Sequence, residues 1–188
     1  MRLFIAQRFD SCASAAAQVA AARDRLRAMA ETGAFVPDEN LHMTLAFLGE
    51  VDEDRIEDVE EAIDGVTGSF TSELAFRTAS RWPQKSGKRY VGDVWKLDAE
   101  ATPQLVGLQR AIARALAKAG FDLPRRPFEP HVTLARRVLL AEAAPDVDEA
   151  ARIVAGDPFT ARLQTVSLME SQLSNDRPPR YSEICAWE

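Results

Sequence analysis

The chain has 188 residues, 46% of them hydrophobic, with a formal net charge of −6. That length suits one domain or two small lobes sharing a core. No apolar run approaches the roughly 18 residues of a membrane span, and the acidic balance argues against a broad nucleic-acid-coating face. A small phosphate ligand held by a few local cations stays open, because positive charge gathers over residues 81–89 and 125–137.

Residues 2–9 (RLFIAQRF) read as a strand. Residues 11–30 follow as an alanine-rich helix with Ala15, Val19, Ala22, Leu26 and Met29 on one stripe. Asp24 within the stretch and a strand before it argue against a targeting peptide, so a cytoplasmic protein is expected. Residues 41–48 read as a second strand, closed by a turn at Gly49. Asp52 is then expected to cap a helix carrying Ile56, Val59 and Ile63, ending before Gly65. Residues 69–79 alternate as a third strand, and RWPQKSGK, from Arg81, reads as a hinge between halves.

The order then repeats. Residues 90–97 read as a strand. Thr102 caps a helix with Pro103 at its first position, a Leu105, Leu108, Ile112, Leu116 stripe, and Gly120 as its stop. A strand over 131–139, a helix over 146–155, and strands over 159–168 and 181–187 complete the chain. The expected fold is α+β, a single bilobal domain over 1–188. Its two pseudo-symmetric lobes (about 1–80 and 88–188) would come from a duplicated strand–helix–strand–helix–strand unit. Mostly antiparallel sheets would flank a central cleft, with helices outside. Cys12 and Cys185 lack metal-type spacing and read as free thiols.

Both histidines of the chain fall in the same tetrapeptide, His42-Met-Thr-Leu and His131-Val-Thr-Leu, at matching places in the repeat. Residues i and i+2 of a strand share a face. His42 and Thr44 therefore stand side by side, as do His131 and Thr133, while Met43, Leu45, Val132 and Leu134 point into apolar packing. Two such strands meeting near a two-fold axis oppose two imidazoles with two hydroxyls between them. In-line phosphoryl displacement needs a base on the entering oxygen and an acid on the leaving oxygen. An imidazole serves either role near neutral pH, and the threonine hydroxyls can donate to the phosphate oxygens. Two histidines without a cysteine cluster do not make an ordinary zinc set, so no metal and no cofactor are expected.

The paired HMTL and HVTL resemble the signature of the two-histidine phosphoesterase superfamily. RLFIA, PDENLHMTLAFLGEV, RPFEPHVTLAR and RYSEI are similar to its RNA 2′,3′-cyclic phosphodiesterase branch, also called 2′-5′ RNA ligase. The segment GKRYVGDVWKLD departs from the plainer strand usual there. The resemblance implies hydrolysis of a terminal 2′,3′-cyclic phosphate to a 2′-phosphate, with reversible 2′-5′ ligation open to the same chemistry. His42 would protonate the departing 3′ oxygen and His131 would activate water. Thr44, Thr133 and an arginine after the second motif would hold the phosphate, and Phe4 is a base-stacking candidate whose plainer reading is a core ring.

RNA 3′ ends or small cyclic nucleotides are the expected substrates, with a monomer and no membrane. A different phosphodiester metabolite, or RNA-end binding without turnover, are the alternatives. The arginine poses a problem of parity. The resemblance points to Arg136, five residues after His131, but a regular strand turns Arg137 towards the histidine face and Arg136 away. Arg136 is preferred, and it needs a bulge, a strand end or a long side chain folding back over the edge to reach the site.

Overall fold

Alternation in RLFIAQR sends Leu3 and Ile5 to one face of a strand and Phe4 and Ala6 to the other. All four are at most 3% exposed, so both faces are covered. This strand is β1 (Arg2–Arg8) of a computed structural model that describes residues 1–9, 12–66, 68, 70–172 and 180–188. It is followed by α1 (Ala13–Met29), β2 (Ala30–Phe35), β3 (His42–Glu50), α2 (Ile56–Asp64), β4 (Ser72–Ser86) and β5 (Arg89–Ala99). Then come α3 (Pro103–Lys118), β6 (His131–Leu140), α4 (Val147–Ala155), β7 (Phe159–Leu163), β8 (Val166–Gln172) and β9 (Arg180–Trp187). The class is α+β.

Among the described residues nine strands form one sheet in the order β7-β4-β5-β6-β3-β1-β8-β9, with β2 also paired to β6. Every pairing is antiparallel. The strands of the two sequence halves interleave: β4 pairs with β5 and β7, and β1 pairs with β8. Helix α1 packs on α4, β6 and β7, and α3 packs on α2, β3 and β4. The expected stripes are what they bury: Ala15, Val19, Ala22 and Leu26 of α1, and Leu105, Leu108, Ile112 and Leu116 of α3. Each fully buried leucine or isoleucine there contributes about 1.5–3 kcal/mol. Thr102 Oγ1 accepts from the Leu105 N–H, closing the first turn of α3 as its sequence implies. Among the described residues no helix is long and apolar enough to cross a membrane.

Several expectations need correcting. RWPQKSGK is no hinge; it continues β4 into a hairpin with β5. The chain reverses over Gly87 and Lys88, where Gly87 takes φ +61° as a two-residue hairpin demands. Pro83 is tolerated because β7 pairs only with residues 72–76 of β4, leaving that edge without a ladder to break. β2 went unread because AETGAF has no apolar alternation and its four central residues are exposed; its partner β6, not its own pattern, makes it a strand. Gly49 lies inside β3 rather than in a turn beyond it. Asp52 precedes a 3₁₀ turn at Glu53–Arg55 and makes no side-chain cap, so α2 starts only at Ile56. The strand expected over 159–168 is broken into β7 and β8. Ser11 and Ser69, expected as the first residues of the alanine-rich helix and of the third strand, lie outside the described residues.

Candidate active site

β3 and β6 touch at one pairing, Met43 opposite Val132. Both side chains are fully buried in the core, which turns the residues before and after them to the other face. Extending the register sets His42 across from Thr133 and Thr44 across from His131. The two histidines then sit on a diagonal, about 7–8 Å apart at that spacing. All four side chains are half-buried.

Each imidazole is locked in the same way. His42 Nδ1 lies 2.7 Å from the carbonyl oxygen of Asn40, and His131 Nδ1 lies 2.7 Å from that of Glu129. A carbonyl only accepts, so Nδ1 carries the proton and Nε2 keeps a lone pair for chemistry. Burial pushes His42 down to about 4, against the steadying Asn40 carbonyl, and the charges of Arg136, His131 and Arg8 push it further the same way. His131 is also lowered, chiefly by burial; Lys96 adds to this, whereas Asp98 and Glu129 oppose it. Both rings are therefore proton acceptors in the free protein.

Each motif has a charged flank on its outer neighbour strand. Arg8 stands opposite His42 and ion-pairs with Glu183 at 3.5 Å, and Ser167 Oγ donates to the same carboxylate at 2.7 Å. On the other side Asp98 stands opposite His131 and Lys96 opposite Thr133. Lys96, only 4% exposed, pairs with Asp98, which also accepts from Ser80 Oγ at 3.0 Å. These flanks were missed in the sequence. The signal was there in VWKLD, where a lysine and an aspartate alternate with core residues.

The parity problem of Arg136 is resolved by two register shifts in β6. Between Trp95 and Lys96, neighbours in β5, the partner in β6 moves from Ala135 to Thr133. The extra residue turns Ala135 inward beside Leu134, both fully buried, and returns the histidine face to Arg136. A second shift falls between Asp93 and Trp95, where Arg137 takes φ +54°. Arg136 lines the same cavity as Thr44, His131 and Thr133, and its charge is felt by His42. The Arg137 backbone N–H donates to Gln84 Oε1 at 3.3 Å.

That cavity measures about 410 Å³. It runs from the threonines and Arg136, past His131, to Trp82, Gln109 and Phe128. Phe4 is 3% exposed and hemmed in by the rings of His42 at 5.0 Å, Tyr181 at 5.3 Å and Phe47 at 6.2 Å. A base could stack on it only by displacing one of these, so the ring supports His42 as a core residue would. The exposed aromatics at the site are Phe47 and Trp82, neither of which the sequence had marked. Among the described residues no group of three His, Cys, Asp or Glu side chains could hold a metal ion.

The model of the 2′-5′ RNA ligase superfamily matches residues 13–175. The chain belongs to this superfamily. The RNA 2′,3′-cyclic phosphodiesterase of Methanothermobacter thermautotrophicus is 32% identical over 163 residues, covering 83% of each chain. The enzyme of that name from Archaeoglobus fulgidus is 26% identical over the full length of both. Among solved structures of superfamily type, Escherichia coli LigT complexed with 3′-AMP has TM-score 0.73 and 25% identity, spanning 99% of this chain and 96% of that one. A Thermus thermophilus protein, with TM-score 0.76 and 23% identity over 100% and 97% of the two chains, shares the fold.

Proposed function

We propose that this protein opens terminal 2′,3′-cyclic phosphates, on RNA ends or on nucleotides, to 2′-phosphates by histidine acid–base catalysis. One observation carries the reading: two imidazoles from facing strands, each held through Nδ1 by a carbonyl two residues upstream, present free Nε2 atoms to one face. The names of the relatives and the nucleotide held by LigT support the substrate class.

His131 takes a proton from water as its oxygen attacks phosphorus. His42 gives one to the 3′ oxygen as the P–O3′ bond breaks, leaving the phosphate on O2′. Thr44 and Thr133 donate to the non-bridging oxygens, and the Arg136 guanidinium balances the charge that builds there. The acid's proton arrives with the substrate. Burial keeps both rings neutral in the free protein, and an anionic phosphate between them raises their affinity for a proton. No step draws on a metal, in keeping with a site built from two histidines, two threonines and an arginine.

The test is product analysis after incubation with an oligonucleotide ending in a 2′,3′-cyclic phosphate, in excess EDTA. A 2′-phosphate end formed at the rate seen without chelator is the expected result. An intact substrate, a 3′-phosphate product, or activity that depends on an added divalent ion would each overturn the reading.

A further inference from the structure

The strands flanking the two motifs differ sharply beside the threonines. Across from Thr44 in β1 stands Ala6, and across from Thr133 in β5 stands Lys96. Residues paired directly across an antiparallel ladder share a face, with Cβ atoms about 4.5–5.5 Å apart. The second motif therefore has a lysine alongside it where the first has a methyl group. Lys96 is 4% exposed, and a lysine is seldom so deeply buried without partners that hold it.

Two partners hold it. Asp98 accepts from the ammonium, and is itself fixed by Ser80 Oγ at 3.0 Å and Thr78 Oγ1 at 3.4 Å. The Trp82 ring lies over the ammonium, with Nζ 4.5 Å from its centroid. The same ring meets the His131 imidazole at 5.0 Å and 78°, and both line the cavity. Lys96 thus touches the indole, and the indole touches the base. The charged groups around His131 are Lys96 and Asp98 of β5, Glu129 just before β6, Arg136 of β6, Arg126 of the cavity wall and His42 of β3. Among these Lys96 alone is classed as buried, so water screens its field least.

We infer that Lys96 is a positioning residue for the general base, a fixed buried cation that keeps the His131 imidazole in the neutral form able to take a proton from water. This rests on the proposed function, in which His131 is the base. Burial lowers the proton affinity of His131 most, and the Glu129 carbonyl opposes it. Among the charges Lys96 acts most strongly, lowering it further against Asp98 and Glu129. The need arises when substrate binds. An anionic phosphate raises the proton affinity of both rings, and with both protonated no base is left. Lys96 offsets that rise at His131, while Asp98 holds the ammonium in place and moderates its effect.

The experiment joins an imidazole NMR titration of the full-length free protein to pH profiles of kcat/KM on a nucleoside 2′,3′-cyclic phosphate. The chain has two histidines, so His42→Ala assigns both resonances. Lys96→Met removes the charge and keeps most of the bulk. The His131 midpoint should move to higher pH, and kcat/KM should fall about 10-fold on the acid side of the profile. On the alkaline side, where His131 is neutral in both proteins, the two rates should converge. Lys96→Arg should keep the wild-type midpoint. Asp98→Asn, which keeps an oxygen to accept from the ammonium, should act the opposite way, with a lower midpoint and a higher acid-side rate. That variant carries the test if Lys96→Met does not fold. An unmoved His131 midpoint, or a loss of equal size at every pH, overturns the inference and leaves hydrolysis standing. A raised midpoint with a rate gain confined to the alkaline side overturns His131 as the base. Absence of any hydrolysis by the wild-type protein sinks the proposed function, and the inference with it.

Discussion

Gly92 of β5 lies directly against the backbone of Arg137 in β6: a Cβ on Gly92 would stand 2.5 Å from the Arg137 carbonyl carbon. It would also stand 2.8 Å from the carbonyl oxygens of Arg137 and Val138, and Gly92 itself takes φ +109°. The second irregularity of β6, at Arg137 immediately after Arg136, therefore depends on a missing side chain in the next strand. The bulge at Ala135 turns Arg136 to the histidine face, and the left-handed Arg137 that follows has room because β5 carries a glycine there.

Gly92→Ala is expected to damage the site without removing any residue from it. Left-handed backbone and the clash together should cost about 1–3 kcal/mol of stability. The displaced bulge should lower kcat/KM by at least tenfold in the protein that remains folded. Thermal melts and kinetics on a cyclic nucleotide check both. A variant as active and stable as the wild type would mean that the bulge does not set the position of Arg136.

Arg136→Ala should lose about 10- to 100-fold in kcat/KM, the range for removing a charge-assisted hydrogen bond to a phosphate. Arg137→Ala should fall within a few-fold of wild type, since that residue enters through its backbone N–H to Gln84. Measured side by side on one cyclic nucleotide, the reverse order would restore the regular-strand assignment and reject the bulged one.

His42→Ala and His131→Ala should each lose about 10²–10⁴ in turnover, as expected for a missing general acid or base. Both imidazoles are half-buried at the sheet face rather than in the core, so circular dichroism and melting should change little. A folded variant turning over at close to the wild-type rate would dismiss the two-histidine mechanism.

The pH profile follows from the direction of the shifts. kcat/KM reports the free protein, in which His42 sits near 4 and His131 also lies below its ordinary value. Above the upper apparent pKa of the pair both rings are neutral and the acid is missing, so the rate must fall as pH rises. Because both shifts are downward, that alkaline limb should lie below pH 6.5, the ordinary value for a histidine. In kcat the limb should move to higher pH, because the bound anionic phosphate favours protonation. A kcat/KM limb above about pH 7.5 would contradict the neutral, buried pair.

What the amino-acid sequence determined by itself was everything set by local periodicity. Alternation in the two His-x-Thr-Leu segments is enough to pair each imidazole with a hydroxyl and to bury Met43 and Val132. The 3.6-residue stripes and the Thr102 cap locate α1 and α3, because those signals lie within a few turns of one chain segment. Parity arguments hold only while a strand stays regular, and the interruptions in β6 show only against its neighbour: Gly92 gives the Arg137 backbone room, and the shift at Ala135 appears in its pairing with Trp95. The same is true of β2, whose polar residues become a strand only against β6, and of Trp82, which looked like loop until β5 paired with it. Lys96 and Asp98 were visible as letters but acquired a place beside His131 only through the β5–β6 register. Tertiary structure decided these points because cross-strand pairing, unlike helix capping or alternation, joins residues that carry no information about one another along the chain.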